Sequence, residues 1–132
     1  MEKTLLIIKP DGVQRKLIGK ITERIEADGF DILNIRLMKL DRQQAGEFYA
    51  IHKGKPFYSD LVDYITSGPV VALLLEKENA QRRLREVVGA TDPKKAAPGT
   101  IRADFGSSIQ NNTVHASAPD EDPEREMKLV FG

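Results

Sequence analysis

Val70-Val71-Ala72-Leu73-Leu74-Leu75 is apolar at every position. A strand built from it is apolar on both faces, so it belongs at the centre of a covered sheet. Working outward, Ser67-Gly68-Pro69 closes a helical stripe of Leu61, Tyr64 and Ile65 just before it. Asp41 with Gln44 has the spacing of a capping box, which starts a helix running to about Ile51 and carrying Phe48 and Tyr49. Lys53-Gly54-Lys55-Pro56 breaks that helix. Leu33, Ile35 and Leu37 alternate with Asn34, Arg36 and Met38, which predicts a strand. Ile18, Ile21 and Ile25 stand at helical spacing, with Gly29 as the stop. Leu5–Ile8 is a short buried strand ended by Lys9-Pro10-Asp11-Gly12.

Downstream, Asn79 is placed to cap a helix holding Leu84, Val87 and Val88, and Gly89 to end it. Ala90 to Gly99 is a polar loop, Thr113–Ala116 a short final strand, and Pro123 the first turn of a last helix. The order predicts an α+β fold of the split-βαβ, ferredoxin-like type: four antiparallel strands with helices on one face. Too few strand–helix alternations occur for a parallel three-layer sheet.

The 132 residues fit a single domain spanning 1–132. Hydrophobic residues at 40% and charged residues at 30% suit a folded globular chain rather than a disordered one. Twenty Lys+Arg balance twenty Asp+Glu, which argues against a nucleic-acid binder. Cysteine is absent, excluding disulfides, thiolate metal sites and a cysteine nucleophile. The longest apolar run is too short to cross a membrane, and the N-terminus does not read as a secretory signal, so a cytoplasmic location is expected.

No Walker A or G-x-G-x-x-G pattern occurs, so phosphate chemistry would need side chains and loop amides. Asp120-Glu121-Asp122 reads as a solvated turn rather than a metal site. Of two histidines, His52 lies at a helix end, where a cation is favoured for structural reasons. His115 sits on the last strand beside small Ala116 and Ser117, which leave room for a group to approach its ring. Lys9 ends a buried strand and points into a loop region. Arg85, Thr91 and Arg102 flank the polar loop and suit phosphate oxygens, whereas Arg82 and Arg83 read as a solvated helix face.

Asn112-Thr113-Val114-His115-Ala116-Ser117 resembles the N-x-x-H-[GA]-S active-site signature of nucleoside diphosphate kinases. Thr4 to Arg15, Ser67-Gly68-Pro69-Val70-Val71-Ala72 and Pro98 to Phe105 are similar to three further blocks of that family, in order. The resemblance spans essentially the whole chain. It implies transfer of the γ-phosphate of a nucleoside triphosphate, ATP, GTP or others, to a nucleoside diphosphate. The route is ping-pong, through a phosphohistidine, with broad base specificity. Mg²⁺ is held mainly by nucleotide phosphates, with no named protein ligand.

Carried over by position, His115 is the nucleophile, Lys9 touches the γ-phosphate, and Tyr49 lies beside Lys9. Arg85, Thr91 and Arg102 hold the other phosphates, and Asn112 contacts the ribose 3′-hydroxyl. Phe57 and Ile109 sandwich the base, and Ser117 with Glu126 orients the imidazole. Family members are hexamers or tetramers, so a homo-oligomer is expected, with no membrane or specific nucleic-acid partner. Two departures stand out. Ala118-Pro119 replaces the usual Asp-Ser after the signature, and the short C-terminus resembles prokaryotic members. The alternative is a non-catalytic ferredoxin-like nucleotide-binding or regulatory module.

Overall fold

Strands β1 (Glu2–Ile8), β2 (Asp31–Met38), β3 (Val70–Lys77) and β4 (Val114–Ala116) form one antiparallel sheet in the order β2-β3-β1-β4. The structure is a computed structural model and describes residues 1–108, 111–117 and 123–131. Helices α1 (Pro10–Gln14) and α2 (Ile18–Ala27) join β1 to β2. Helices α3 (Arg42–Phe48) and α4 (Tyr58–Ile65), with a 3₁₀ turn Ala50–His52 between them, join β2 to β3. Helix α5 (Ala80–Val88), a 3₁₀ turn Pro93–Lys95 and helix α6 (Ile101–Phe105) precede β4, and α7 (Pro123–Phe131) follows it.

Helices cover both faces of the sheet, which corrects the expectation of one face. Leu6, Ile8, Val71, Leu73 and Leu75 point to α2 and α5, meeting Ile21, Ile25, Leu84 and Val88. Leu5, Ile7, Val70 and Ala72 point the other way, to α3, α4 and α7, meeting Phe48, Val62, Ile65 and Val130. The cause is the pattern that places β1 and β3 centrally: apolar residues at successive positions give two apolar faces, and each must be covered. Each fully buried Leu, Ile or Phe contributes about 1.5–3 kcal/mol of transfer free energy.

The Asp41–Gln44 capping box forms as predicted, with Gln44 N donating to Asp41 Oδ1 at 2.8 Å and Asp41 N to Gln44 Oε1 at 3.1 Å. The helix it starts ends at Phe48 and tightens into the 3₁₀ turn, rather than running on to Ile51. Asn79 stands at the N-cap of α5, yet its backbone is left-handed (φ 53°) and its side chain makes no capping bond. Glu2 from β1 takes that role, accepting from Gln81 N at 2.8 Å. Helices α1 and α6 went unread because five residues carry too little periodicity.

Candidate active site

Pairing of β4 with β1 places His115 opposite Ile7, between the pairs Leu6↔Ala116 and Ile8↔Val114. Side chains alternate along a strand, so His115 shares the face of Leu5 and Ile7, while Val114 and Ala116 enter the opposite core. Ser117, two residues on, returns to the face of His115. Lys9 follows Ile7 by the same interval. The period of two thus brings lysine, histidine and serine to one side of the sheet end.

Phe48 holds the His115 ring edge-to-face at 4.9 Å between centroids, and Tyr49 does so at 6.3 Å. Behind the ring, Glu126 is fully buried. Its Oε1 lies 3.4 Å from His115 Nε2 and accepts from Ser117 Oγ at 2.5 Å. Helix α7 delivers this carboxylate, and Arg125 ties the helix back by donating to Glu47 O at 2.5 Å. Nε2 is the ring nitrogen directed at the carboxylate, and among the described residues Nδ1 makes no hydrogen bond.

Lys9 is buried, 6% exposed. Its backbone N donates to Thr113 O at 2.8 Å and its Nζ to Asn112 Oδ1 at 2.9 Å. Asn112 Nδ2 in turn donates to Thr91 O at 3.0 Å. Burial first, and the nearby Arg102 charge second, lower the Lys9 ammonium from 10.5 to about 8, against an opposing pull from Asp11. It remains the cationic form at neutral pH. Arg102 from α6 donates to Gly89 O at 3.1 Å and Val114 O at 2.9 Å, clamping the end of α5 to β4.

Thr113 supplies the bend between these groups. Its φ of 80° is a strained value for a β-branched residue, and Val114 N donates back to Asn112 O at 2.9 Å, a γ-turn. The turn sends Asn112 toward Lys9 while Val114 starts the strand. Thr113 is held there by Oγ1 donating to Phe105 O at 3.0 Å and by the Lys9 amide. Gly12 makes room for it: a Cβ at Gly12 would come within 2.8 Å of Ile8 and 3.0 Å of Thr113.

A cleft of about 1050 Å³ opens over this arrangement. Lys9, Arg85, Thr91, Arg102, Asn112 and His115 line it together, as does Tyr49. Phe57, 46% exposed, lines it with its ring 5.3 Å from that of His52. Ser117 and Glu126 stand behind His115. Ile109, Ala118, Pro119 and Asp120-Glu121-Asp122 lie outside the described residues. His52 ends the 3₁₀ turn Ala50–His52, the helix-end position expected from sequence, and also lines the cleft, 6.2 Å from Tyr49 between ring centroids. Sequence also gave no sign that Tyr64 on α4 bonds Asp11 on α1, since 53 residues separate them. The surrounding cations, a seated imidazole and an exposed aromatic ring suit a phosphorylated ligand that carries a flat ring.

Comparison with known proteins finds relatives over nearly the whole chain. A family model described as nucleoside diphosphate kinase matches residues 2–132. A nucleoside diphosphate kinase of Campylobacter hominis is 54% identical over 131 residues, covering 99% of this chain and 96% of that protein. One from Archaeoglobus fulgidus is 50% identical, covering 99% and 87%. Among solved structures, a halophilic nucleoside diphosphate kinase from Halobacterium salinarum in complex with CDP superposes with a TM-score of 0.95 at 45% identity, covering 98% of this chain and 87% of that one. The Aquifex aeolicus nucleoside diphosphate kinase superposes with a TM-score of 0.96 at 41% identity, covering 99% and 95%.

Proposed function

The chain belongs to the nucleoside diphosphate kinase family, a family of phosphotransferases, and from that premise we propose that His115 carries the phosphoryl group between nucleotides. The observation that supports this most directly is the seating of His115. Its Nε2 faces the buried Glu126 carboxylate while the residue lines a cleft with four cationic side chains, Lys9, Lys55, Arg85 and Arg102.

In the first half-reaction, the Nδ1 lone pair attacks the γ-phosphorus. The bond from that phosphorus to the bridging oxygen breaks, and the diphosphate leaves with the electron pair. Charge spreads over the equatorial oxygens of a loose transition state, where Lys9, Arg85 and Arg102 oppose it. Glu126 stabilises the positive charge that the ring gains, and Ser117 fixes the carboxylate. The second half-reaction runs the same steps backwards onto a new diphosphate. A neutral imidazole needs no separate base and is also a good leaving group, so one residue serves both directions.

A nucleotide-borne Mg²⁺ would be held mainly by phosphate oxygens and water, as its reluctance to dehydrate favours, and would add to the charge that Lys9, Arg85 and Arg102 present. Phe57 stacks on the base without reading its edge, which gives broad specificity. Thr91 and Asn112 bind phosphate and ribose. A cysteine-free chain suits the reducing cytoplasm. A homo-oligomer is supported by β2, an edge strand that exposes Leu33, Ile35 and Leu37. Exposed apolar edges of this kind call for a partner surface.

Radiolabelled ATP alone is expected to leave an acid-labile phosphate on the protein, discharged by added GDP or CDP. The His115→Ala variant is expected to take up none. Retained label in that variant would overturn the assignment.

A further inference from the structure

Glu126 depends on its helix for its place behind His115. Its Oε1 meets both Ser117 Oγ and His115 Nε2, while Oε2 is buried with no hydrogen-bond partner among the described residues. A carboxylate gripped through one oxygen pivots about it, so the seat of α7 sets where it stands. Two arginines hold that helix. At its C-terminal end, Arg36 of β2 donates to Val130 O at 2.8 Å. At the end that carries Glu126, the neighbouring Arg125 forks onto α3, with Nη1 donating to Glu47 O at 2.5 Å and Nη2 to Phe48 O at 3.3 Å. These carbonyls close the last turn of α3, where helical partners run out and a basic side chain is favoured. Tyr58 of α4 takes the preceding one, Gly46 O, at 3.3 Å. The same stretch of α3 presents the rings that flank the nucleophile. Phe48 meets His115 edge-to-face at 4.9 Å and Tyr49 at 5.2 Å.

We infer that Arg125 is a positioning residue for phosphoryl transfer: its guanidinium locks the Glu126 helix to the end of α3, so that the carboxylate on one side and the Phe48 and Tyr49 rings on the other hold a single orientation of the His115 imidazole. The inference rests on the phosphoryl-transfer reading for its effect on rate, and on the geometry alone for its effect on the ring.

Arg125 stands outside the lining of the cleft, so its loss should leave nucleotide affinity nearly as it is. What it protects is aim. Transfer needs Nδ1 in line with the γ-phosphorus, and a misplacement of about 1 Å in such a line costs about 10²-fold. Val130, with Met127 and Phe131 packed beside it, would keep α7 on the sheet without the arginine. Such apolar contacts are non-directional and let a helix slide. Two N–H donors in a rigid fork fix its translation and rotation together. Ring orientation also sets the tautomer: with Nε2 turned to Glu126, the proton belongs on Nε2 and the lone pair on Nδ1.

The experiment compares full-length wild-type, Arg125→Met and Arg125→Lys proteins. Histidine-ring ¹⁵N NMR at about pH 8.5, above the ordinary histidine range, reads the tautomer, with His115→Ala identifying the signals. Steady-state kinetics reads kcat and KM. The wild-type ring is expected to carry its proton on Nε2. Arg125→Met is expected to mix the two tautomers and to lower kcat by about 10- to 100-fold, with KM within about twofold of wild type. Arg125→Lys keeps the charge but loses the fork, and should fall between the two. A wild-type ring spectrum in folded Arg125→Met protein overturns the inference, and so does an unchanged kcat or a loss in kcat/KM carried by KM alone, which would mark a structural role. Should Arg125→Met not fold, Arg125→Lys is held to the same two readings. A wild-type protein that takes no phosphate from ATP overturns the transfer reading instead, and the ring spectra still decide whether Arg125 sets the imidazole.

Discussion

Replacing Lys9 with methionine should make the protein more stable and far less active. Burial and the Arg102 charge lower the amine from 10.5 to about 8. At about 1.4 kcal/mol per pH unit, holding the ammonium in the folded state costs about 3 kcal/mol relative to the unfolded chain. Methionine keeps most of the side-chain volume and removes the charge. It also removes the bond to Asn112 Oδ1, which costs about 1 kcal/mol. A net gain of about 2 kcal/mol at pH 7 is left.

The pH dependence carries the sign. Below about 8 both states hold the proton, and the cost is present in full. Between about 8 and 10.5 the folded protein releases it while the unfolded chain retains it, so wild-type stability rises with pH through that window. Above it the cost is gone. The methionine variant lacks this contribution, so the difference between the two proteins should shrink and then reverse, leaving the lost Asn112 bond. Urea unfolding of both proteins at pH 7 and pH 10.5, at one protein concentration, reads this directly. Phosphoryl transfer should fall by about 10²–10³-fold or more, the scale of losing one electrostatic ligand of a transition state. Equal stabilities at pH 7 with parallel pH profiles would refute the account of Lys9 as a strained, functional cation.

Phe57→Ala should raise KM for every nucleotide about tenfold, given about 1–3 kcal/mol per stacked base, and leave kcat within a few-fold; steady-state assays with ATP, GTP and CTP check this, and an unchanged KM would remove Phe57 from the base site. Leu37→Glu places a charge on the exposed face of the edge strand, two residues from Ile35. It should shift the assembly toward smaller species in sedimentation experiments, and an unchanged mass would show that β2 is not the contact.

Much of the fold was legible because burial leaves a periodic mark. The unbroken apolar runs at Leu5–Ile8 and Val70–Leu75 identified the two central strands. The same runs, taken literally, require cover on both faces, and helices are found on both. In β2 the alternation of Leu33, Ile35 and Leu37 marks a strand, but these residues are exposed, and a register shift between Ile32 and Asn34 resets which side chains face the core. Local pattern reports that a face is apolar without reporting what covers it. The short helices α1 and α6 carry one turn of side chains each, below what periodicity can detect.

The site divides along the same line. Sequence by itself determined the ingredients: a histidine among small residues, a lysine ending a buried strand, arginines around a polar loop, and the spaced blocks that resemble one family. It also determined, through strand alternation, that His115 and Ser117 share a face. Tertiary structure decided everything that depends on two distant segments meeting. It set Glu126 behind the imidazole, the Asn112 bridge from Lys9 to Thr91, the left-handed Thr113 turn packed against Gly12, and the Tyr64–Asp11 bond. The physical reason is range. Propensity and periodicity act over a few residues and leave a trace in local composition, whereas a hydrogen bond between helices 53 positions apart leaves none, because it exists only once the sheet has brought them together.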